Sequence, residues 1–381
     1  MKSYFTIKEI RQQPEIWQEV FRLIELQQFE IQSFLSRYLE SENSEVIFTG
    51  AGSSFYIGEM VQGLFQYYTG ISSRAVSSTE IVTHPELFIN PEKKTLLISF
   101  ARSGNSPESV AAIQNAENIS SNVGNLIICC NKDGKLMKME FKNGYKLLLP
   151  KSTNDKGLAM TSSVTSMALT ALLIGRLNSF FSLKTQIDLV SKYADKIISK
   201  GEHLFNKIIS SDFERAVFLG SGPFLGVARE AHLKLQELTN GKIICKFDSF
   251  LGFRHGPKAV VNDKTLLVYF FSNNKYVRQY EQDLVNSIRE SSKPAFSLGI
   301  SENKPDVNGL DQIITLAVDN DNLDEGFLML SSLVVAQLLS FYKSVNEGFN
   351  PDTPSTNGAI HRVVQGVNIY EYETNNMILE K

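Results

Sequence analysis

The sequence predicts an α/β protein made of two tandem copies of one domain, each a parallel sheet with helices on both faces. Three observations carry this. Thr95-Leu96-Leu97-Ile98 returns as Thr265-Leu266-Leu267-Val268, and Val46-Ile47-Phe48-Thr49-Gly50-Ala51-Gly52 returns as Ala216-Val217-Phe218-Leu219-Gly220-Ser221-Gly222, each 170 residues later. The run Asn125–Ile128 meets Ala295–Leu298 in the same register, and the apolar helix pattern Met160–Leu177 corresponds to Met329–Val345. Two copies at one offset exclude a solenoid. Within each copy, short apolar runs alternate with helix-period stretches, which is the mark of a parallel sheet crossed by helices. Finally, 381 residues with 43% hydrophobic content supply enough apolar surface for two to three domains.

At the front of the chain, Thr6 and Glu9 have capping-box spacing, and Pro14-Glu15 opens a helix pattern that runs through Ser36. Trp17, Phe21, Ile24, Phe29 and Phe34 form its apolar side, expected to pack across the domains or against a second subunit. The first copy then reads as strand 45–49, helix 54–69, strand 73–77, helix 78–85, strand 95–99, helix 107–118, strands 125–129 and 146–149, and helix 159–180. A linker helix follows near 186–201, with Ile187, Val190, Tyr193, Ile197 and Ile198 at helical spacing. The expected boundaries are an N-terminal helical segment over 1–44, a first domain over 45–185, a linker helix over 186–212, a second domain over 213–349, and a tail over 350–381 that closes the site.

Polar chemistry gathers at the ends of the strands. Arg102-Ser103-Gly104-Asn105-Ser106 lies between an apolar strand and a helix opened by Pro107, where unpaired N–H groups and the positive end of the helix dipole favour an anion. It reads either as a phosphate loop or as a polar turn capped by serine. Gly50-Ala51-Gly52-Ser53-Ser54 occupies the same position after the first strand. No acidic residue ends the following strand, so a nicotinamide site is rejected. In Lys151–Ser166, the hydroxyls of Thr161, Ser162, Ser163 and Thr165 either cap the next helix or line a sugar pocket.

The second copy lacks the phosphate loop: Ser272-Asn273-Asn274 follows Phe270-Phe271 where the first copy has Arg102-Ser103-Gly104. Its polar residues lie in Arg229–Lys258. Lys234 and Glu237 are i, i+3 neighbours on a helix, read either as a surface ion pair or as part of an acid/base site. His255, in Arg254-His255-Gly256-Pro257-Lys258, brings an imidazole able to exchange protons and is the better acid/base candidate for being held in a basic turn.

A net charge of −3 with a pI near 6 offers no basic field for nucleic acid. The N-terminus has no secretory pattern and no apolar run reads as long enough to span a bilayer, so a cytoplasmic protein without membrane contact is expected. Cys129, Cys130 and Cys245 sit in apolar runs away from metal-ligand spacings and read as buried free thiols.

Taken together, GAGSS, ARSGNSPES, TNDKGLAMTSSVTSM, LKLQELTNGK, SFLGFRHGPK and HRVVQGVNIY resemble the double sugar isomerase (SIS) domain family over nearly the whole chain. The closest likeness is to its amino-sugar-6-phosphate deaminase/isomerase branch, of the tagatose-6-phosphate ketose/aldose isomerase and galactosamine-6-phosphate deaminase type. This resemblance implies a cofactor-free, metal-free enzyme that converts galactosamine 6-phosphate to tagatose 6-phosphate and ammonia. It also resembles the isomerase half of glucosamine-6-phosphate synthase, but no glutaminase domain accompanies it here, which favours ammonia release.

The resemblance places Ser53, Ser54, Ser103 and Ser106 around the phosphate with Arg102 alongside. It makes Glu237 the enolising base, Lys234 its neighbouring lysine and His255 the ring-opening histidine, with shared sites in a homodimer or larger homo-oligomer. Thr161 and Ser162 would line the sugar pocket. Where the synthase branch has an imine-forming lysine near the C-terminus, this chain has Arg362, which stays protonated and forms imines poorly. Arg362 and His361 are therefore expected to supply charge and hydrogen bonds as the tail closes. Alternatives are a glucosamine-6-phosphate deaminase, a plain ketose/aldose isomerase, and a sugar-phosphate sensor. The sensor would need an appended DNA- or kinase-binding segment, and the stretch before Val46 is too short and acidic for one.

Overall fold

The structure is a computed structural model that describes residues 3–40, 42–319 and 322–372. Met1 and Lys2 of the expected N-terminal segment and residues 373–381 of the expected tail lie outside the described residues. Two compact units each draw on three stretches of chain. The front unit comprises Glu19–Asn154, Ser166–Phe181 and the chain from Ile360, and the rear unit the chain up to Gln18, Asp155–Thr165 and Ser182–Ala359.

In the front unit, strands β1 (Ser44–Gly50), β2 (Ser73–Ser77), β3 (Lys94–Ala101), β4 (Val123–Cys129) and β5 (Gly144–Leu148) form a parallel sheet in the order β2-β1-β3-β4-β5. All five lie within two residues of their expected bounds. β1 and β4 are buried throughout and β3 after its first residue, so they read as unbroken apolar runs. One face packs Ile47, Leu97 and Ile127 against Ile81, Ile113 and Ala116. In this strand order the chain turns back on either side of β1, so the loops after β1 and β3 open a crevice at the carboxyl edge of the sheet.

The rear sheet repeats the plan. β6 (Arg215–Leu219), β7 (Ile244–Asp248), β8 (Thr265–Phe270), β9 (Phe296–Ser301) and β10 (Gln312–Thr315) run parallel in the order β10-β9-β8-β6-β7. The edge strands β7 and β10 carry no sequence signal of their own: they are half-covered and mixed in polarity, and Ile244 is 64% exposed. Helix Pro223–Leu238 packs against β6, β7 and helix Glu325–Asn346. Contrary to the sequence reading, that last helix is long and apolar enough to cross a membrane. It is instead a core element, 94% buried over its apolar window.

Both sheets hand over to their first helix through the same turn. Gly52 and Gly222 precede helices Ser53–Thr69 and Pro223–Leu238 with φ, ψ of 57°, −127° and 55°, −126°, a conformation that a side chain disfavours. A Cβ on Gly50 would come 2.6 Å from that of Ser54, and one on Gly220 would come 2.1 Å from the Phe224 carbonyl oxygen. Glycine is required for the helix to start this close to its strand.

Several local expectations give way to tertiary contacts. The single helix expected from Pro14 to Ser36 is two, Gln13–Leu26 and Gln28–Leu39, broken at Gln27 (φ −107°, ψ 11°). The break leaves Phe29 82% exposed, off the apolar side that Trp17, Phe21, Ile24 and Phe34 form. Helix 78–85 stops at Thr83 and restarts at Pro85, because the ring of Pro85 disfavours a helical His84. Helix 159–180 is α-helical only over Ser162–Ile174 and continues as a 3₁₀ segment over Leu177–Leu183.

Thr6 and Glu9 form no capping box. The Asp352 carboxylate instead accepts hydrogen bonds from the backbone N–H of Phe5 and Thr6 and from Thr6 Oγ1, each at 2.8 Å. Glu9 accepts from Lys156 N at 2.5 Å and Gly157 N at 3.2 Å. Burial, and then the charge of Asp155, push the Glu9 carboxyl up to about 7.

Asp155, fully buried, caps helix Ser162–Ile174 from outside. Its carboxylate accepts from the N–H groups of Thr161, Ser162 and Ser163 at 2.8, 3.1 and 2.9 Å, and from the hydroxyls of Thr161 and Ser163 at 3.1 and 2.6 Å. Replacing Asp155 with Ala strands five buried donors and is expected to cost about 2–4 kcal/mol of stability. Urea unfolding checks this, and a loss below about 0.5 kcal/mol contradicts the capping role.

Around Ser272-Asn273-Asn274, carboxylates of the chain itself converge. Glu281, fully buried, accepts from Ser272 N at 3.0 Å, and Glu325 accepts from Ser272 Oγ. Glu302 accepts from Asn273 Nδ2 at 3.1 Å, Leu323 N at 2.6 Å and Tyr193 OH at 3.2 Å. Burial pushes the Glu281 carboxyl up to about 8 and raises that of Glu325. Glu281 thus holds a proton in the folded state that the unfolded chain releases near 4.5, so its stabilising contribution is complete below that pH and is lost as pH rises through about 8. Glu281→Gln, which cannot ionise, is expected to gain on the parent protein between about pH 5 and 9, by on the order of 4 kcal/mol. Thermal unfolding of both proteins across that range measures it; a constant difference refutes the assignment.

Candidate active site

The front unit builds an anion-type crevice from the two loops at the switch in strand order. After β1, Ser53 and Ser54 begin helix Ser53–Thr69 and are both buried. After β3, Arg102 and Ser103 are buried and Ser106 is half-buried. Ser106 sits at the start of helix Pro107–Ile119 but its hydroxyl makes no capping hydrogen bond, which tells against the simple capping reading of this loop. Ser103 Oγ accepts from Asn105 N at 3.2 Å, and Asn131 Nδ2 donates to Ser103 O at 2.9 Å. Lys135 N donates to Asn105 Oδ1 at 3.0 Å, so the loop is fixed from both sides.

The tail crosses this loop within the same unit. Arg102 Nη2 donates to the carbonyl oxygen of Arg362 at 2.5 Å, and Arg362 Nη2 donates to Asn154 Oδ1 at 2.7 Å. Arg362 therefore meets Arg102 through its backbone while its guanidinium is tied to Asn154. His361, next in the tail, is exposed. Asn154 was not singled out by the sequence. Beside it, Cys130, Asn131, Lys151 and Asn154 line an open cavity of about 250 Å³.

Thr161 and Ser162 are fully buried in the rear unit and their hydroxyls are taken up by structure. Thr161 bonds Asp155, while Ser162 Oγ donates to Glu9 O at 2.7 Å and accepts from Gln12 Nε2 at 2.9 Å. Neither hydroxyl caps the helix, because the Asp155 carboxylate takes the helix N–H groups and both hydroxyls bond other protein groups.

The rear unit supplies the ionisable cluster. Lys234, on helix Pro223–Leu238, is 1% exposed, so its contact with Glu237 is not a surface ion pair. Its Nζ lies 2.6 Å from Glu237 Oε2 and 3.4 Å from Glu230 Oε1. Glu230 is fully buried, whereas the Glu237 side chain is 23% exposed and is the member of the cluster that reaches solvent. The sequence shows Glu230 on this helix, but only its i, i+4 spacing to Lys234 hints that it completes the cluster. Next to the cluster, burial lowers the proton affinity of His232, whose ring lies 4.9 Å from that of Phe247. His255 is exposed on the turn after helix Phe250–Phe253, where its N–H bonds Gly252 O at 3.0 Å and Gly256 adopts φ 113°.

Chemically, the front loops offer hydroxyls, helix N–H groups and a guanidinium to a dianion. The rear helix offers a carboxylate whose lysine partner is shielded from water, a pairing suited to moving protons at carbon.

Comparison with known proteins agrees with these features. Residues 38–175 match the SIS domain. The chain is 37% identical over 373 residues to the D-galactosamine-6-phosphate deaminase AgaS of Escherichia coli, covering 97% of this chain and 96% of that one. A crystal structure of tagatose-6-phosphate ketose/aldose isomerase from Escherichia coli superposes with a TM-score of 0.89 at 35% identity, covering 97% of this chain and 98% of that one. A Clostridium novyi structure reaches a TM-score of 0.93 at 40% identity, covering 97% and 96%. With two parallel five-stranded sheets and this identity across nearly its whole length, the chain belongs to the AgaS branch of the SIS-domain family.

Proposed function

We propose that this protein is a deaminating isomerase that takes galactosamine 6-phosphate and water to tagatose 6-phosphate and ammonia. The observation that carries the reading is the 37% identity, over 97% of the chain, to a D-galactosamine-6-phosphate deaminase. In this reading the hydroxyls and N–H groups of Ser53, Ser54, Ser103 and Ser106, with Arg102, bind the phosphate. His255 shuttles a proton between O5 and O1 as the pyranose opens. Glu237 removes the proton from C2 of the open aldose and returns it to C1, leaving an imine at C2. Water adds there and ammonia leaves, so the overall step is a hydrolysis. Lys234 steadies the negative charge that builds on the enolised sugar and on its base.

Two features of the structure support the reading. Glu237 is open to solvent while its lysine is not, and the loops after β1 and β3 have the composition and position of an anion site. Thr161 and Ser162 are not assigned to the substrate, because Asp155 and Glu9 engage them. Arg362 and His361 belong to the tail that crosses Arg102, and Arg362 acts by charge and hydrogen bonding. We further read the two sheets as copies of one domain and the protein as a cytoplasmic homo-oligomer with shared sites. The buried thiols Cys129 and Cys130, neither of them in a disulfide, suit a reducing compartment.

Ammonia release measured on galactosamine 6-phosphate and glucosamine 6-phosphate side by side tests the reaction. Faster turnover of the galacto epimer is expected, and ketose formation without ammonia from either sugar would show a plain isomerase. Glu237→Gln should lower kcat by roughly 10²- to 10⁴-fold with KM within about threefold; unchanged turnover removes it as the base. Ser103→Ala should act mainly on KM. Lys234→Met leaves Glu230 buried without its cation and is expected to destabilise the fold by about 3–5 kcal/mol, read by urea unfolding.

A further inference from the structure

Beyond the ends of β4 and β5, within the front unit, the open cavity of about 250 Å³ shares no lining residue with the serines that the reading above gives to the phosphate. Its charged lining residues are Lys132, Lys151 and Asp133, and Arg362 is bonded to Asn154 on its wall, so three cations gather there around one carboxylate. One further carboxylate, Glu19, accepts from Ser152 Oγ next to Lys151 at 3.3 Å. Neither lining lysine has an ion-pair partner among the described residues, and Asn154 Nδ2 donates to none of them. Leu148, Leu149 and Cys130 add an apolar wall, and no aromatic ring lines the cavity, so a nucleobase finds nothing to stack on. The volume falls short of the roughly 300–1,000 Å³ that drug-sized ligands fill, which suits a small one.

We propose that this cavity is a second anion site, for a phosphate monoester of a sugar or polyol, and that its occupancy tightens substrate binding at the loop after β3. Lys132, Lys151 and the Asn154 amide take the phosphate, and the leucines take the carbon chain. The coupling rests on the phosphate role proposed above for that loop; the site itself does not.

Both amides of the cavity wall are tied to the loop. Asn131 Nδ2 donates to Ser103 O at 2.9 Å. Arg362, whose guanidinium bonds Asn154 at 2.7 Å, is itself held through its carbonyl oxygen by Arg102. An anion in the cavity gains the charge of Arg362 only while Arg362 stays on Asn154. It therefore favours the arrangement in which the tail holds Arg102 alongside the loop. By linkage, an anion at the loop favours the cavity in return.

Titration calorimetry with a hexitol 6-phosphate tests this, because that probe carries the phosphate and hydroxyls but no carbonyl or amine to turn over. The parent protein is compared with Lys132→Ala/Lys151→Ala and with Ser103→Ala. Both lysines are exposed, so the double variant is expected to fold and to keep the parent kcat for ammonia release. The parent is expected to bind two equivalents per chain and the double variant one, with the remaining site weakened at least about fivefold. Equal stoichiometry in parent and double variant overturns the site, and a lost equivalent with unchanged affinity at the other overturns the coupling.

Inorganic phosphate, titrated in the same way, is expected to bind the cavity at least about fivefold more weakly than the hexitol phosphate, since it lacks the hydroxyl and apolar contacts. Equal affinities overturn the sugar phosphate in favour of the free ion. Ser103→Ala separates the cavity from the loop. If it weakens neither equivalent, the loop reading fails while the cavity stands; if the parent binds a single equivalent that Ser103→Ala weakens, the cavity fails while the loop stands.

Discussion

The structure depends on how closely a helix can begin against the end of a parallel strand. At Gly50 and again at Gly220 the following helix approaches until no side chain fits, and Gly52 and Gly222 then turn the backbone through the same unusual angles. This close handover aims the first N–H groups of each helix at the carboxyl edge of its sheet. A partner for those groups is then required, and the two units meet the requirement in different ways.

In the front unit the neighbouring loop after β3 is short, hydroxyl-rich and cationic, and Ser106 at its end makes no capping hydrogen bond to the helix that follows. In the rear unit the matching loop after β8 is already satisfied by Glu281, Glu302 and Glu325. Internal carboxylates take the place that an external anion would have, and burial makes at least one of them hold its proton near neutrality. The rear unit is left with a different kind of polar asset, the cluster of Glu230, Lys234 and Glu237 on the helix after β6. One backbone turn thus recurs in both units with different side chains at equivalent strand ends.

Much of this was legible from the chain alone. Buried parallel strands announce themselves as apolar runs, and five of five in the front sheet fell within two residues of expectation. The glycine turns and the constant offset were visible because they are local or periodic. What could not be read was whatever depends on a distant partner. Thr6 and Glu9 have the spacing of a capping box, yet Asp352 and the backbone at Lys156 and Gly157 claim them. The hydroxyls of Thr161 and Ser162 could equally have faced a sugar, and only the buried Asp155 for the one and the Glu9 carbonyl for the other decide their use. Glu230 was visible on its helix, but its complete burial was not, and neither was the tie between Arg362 and Asn154.

The bond between Asp352 and the first helix has a consequence for how the chain is born. Phe5 and Thr6 are made well before the carboxylate that completes their helix, which follows them by 347 and 346 residues. Until Asp352 is made that helix lacks its anchor, whereas the front sheet, continuous in sequence from β1 to β5, already has all its strands. The rear unit therefore closes later than the front sheet, and only after Asp352 has been added.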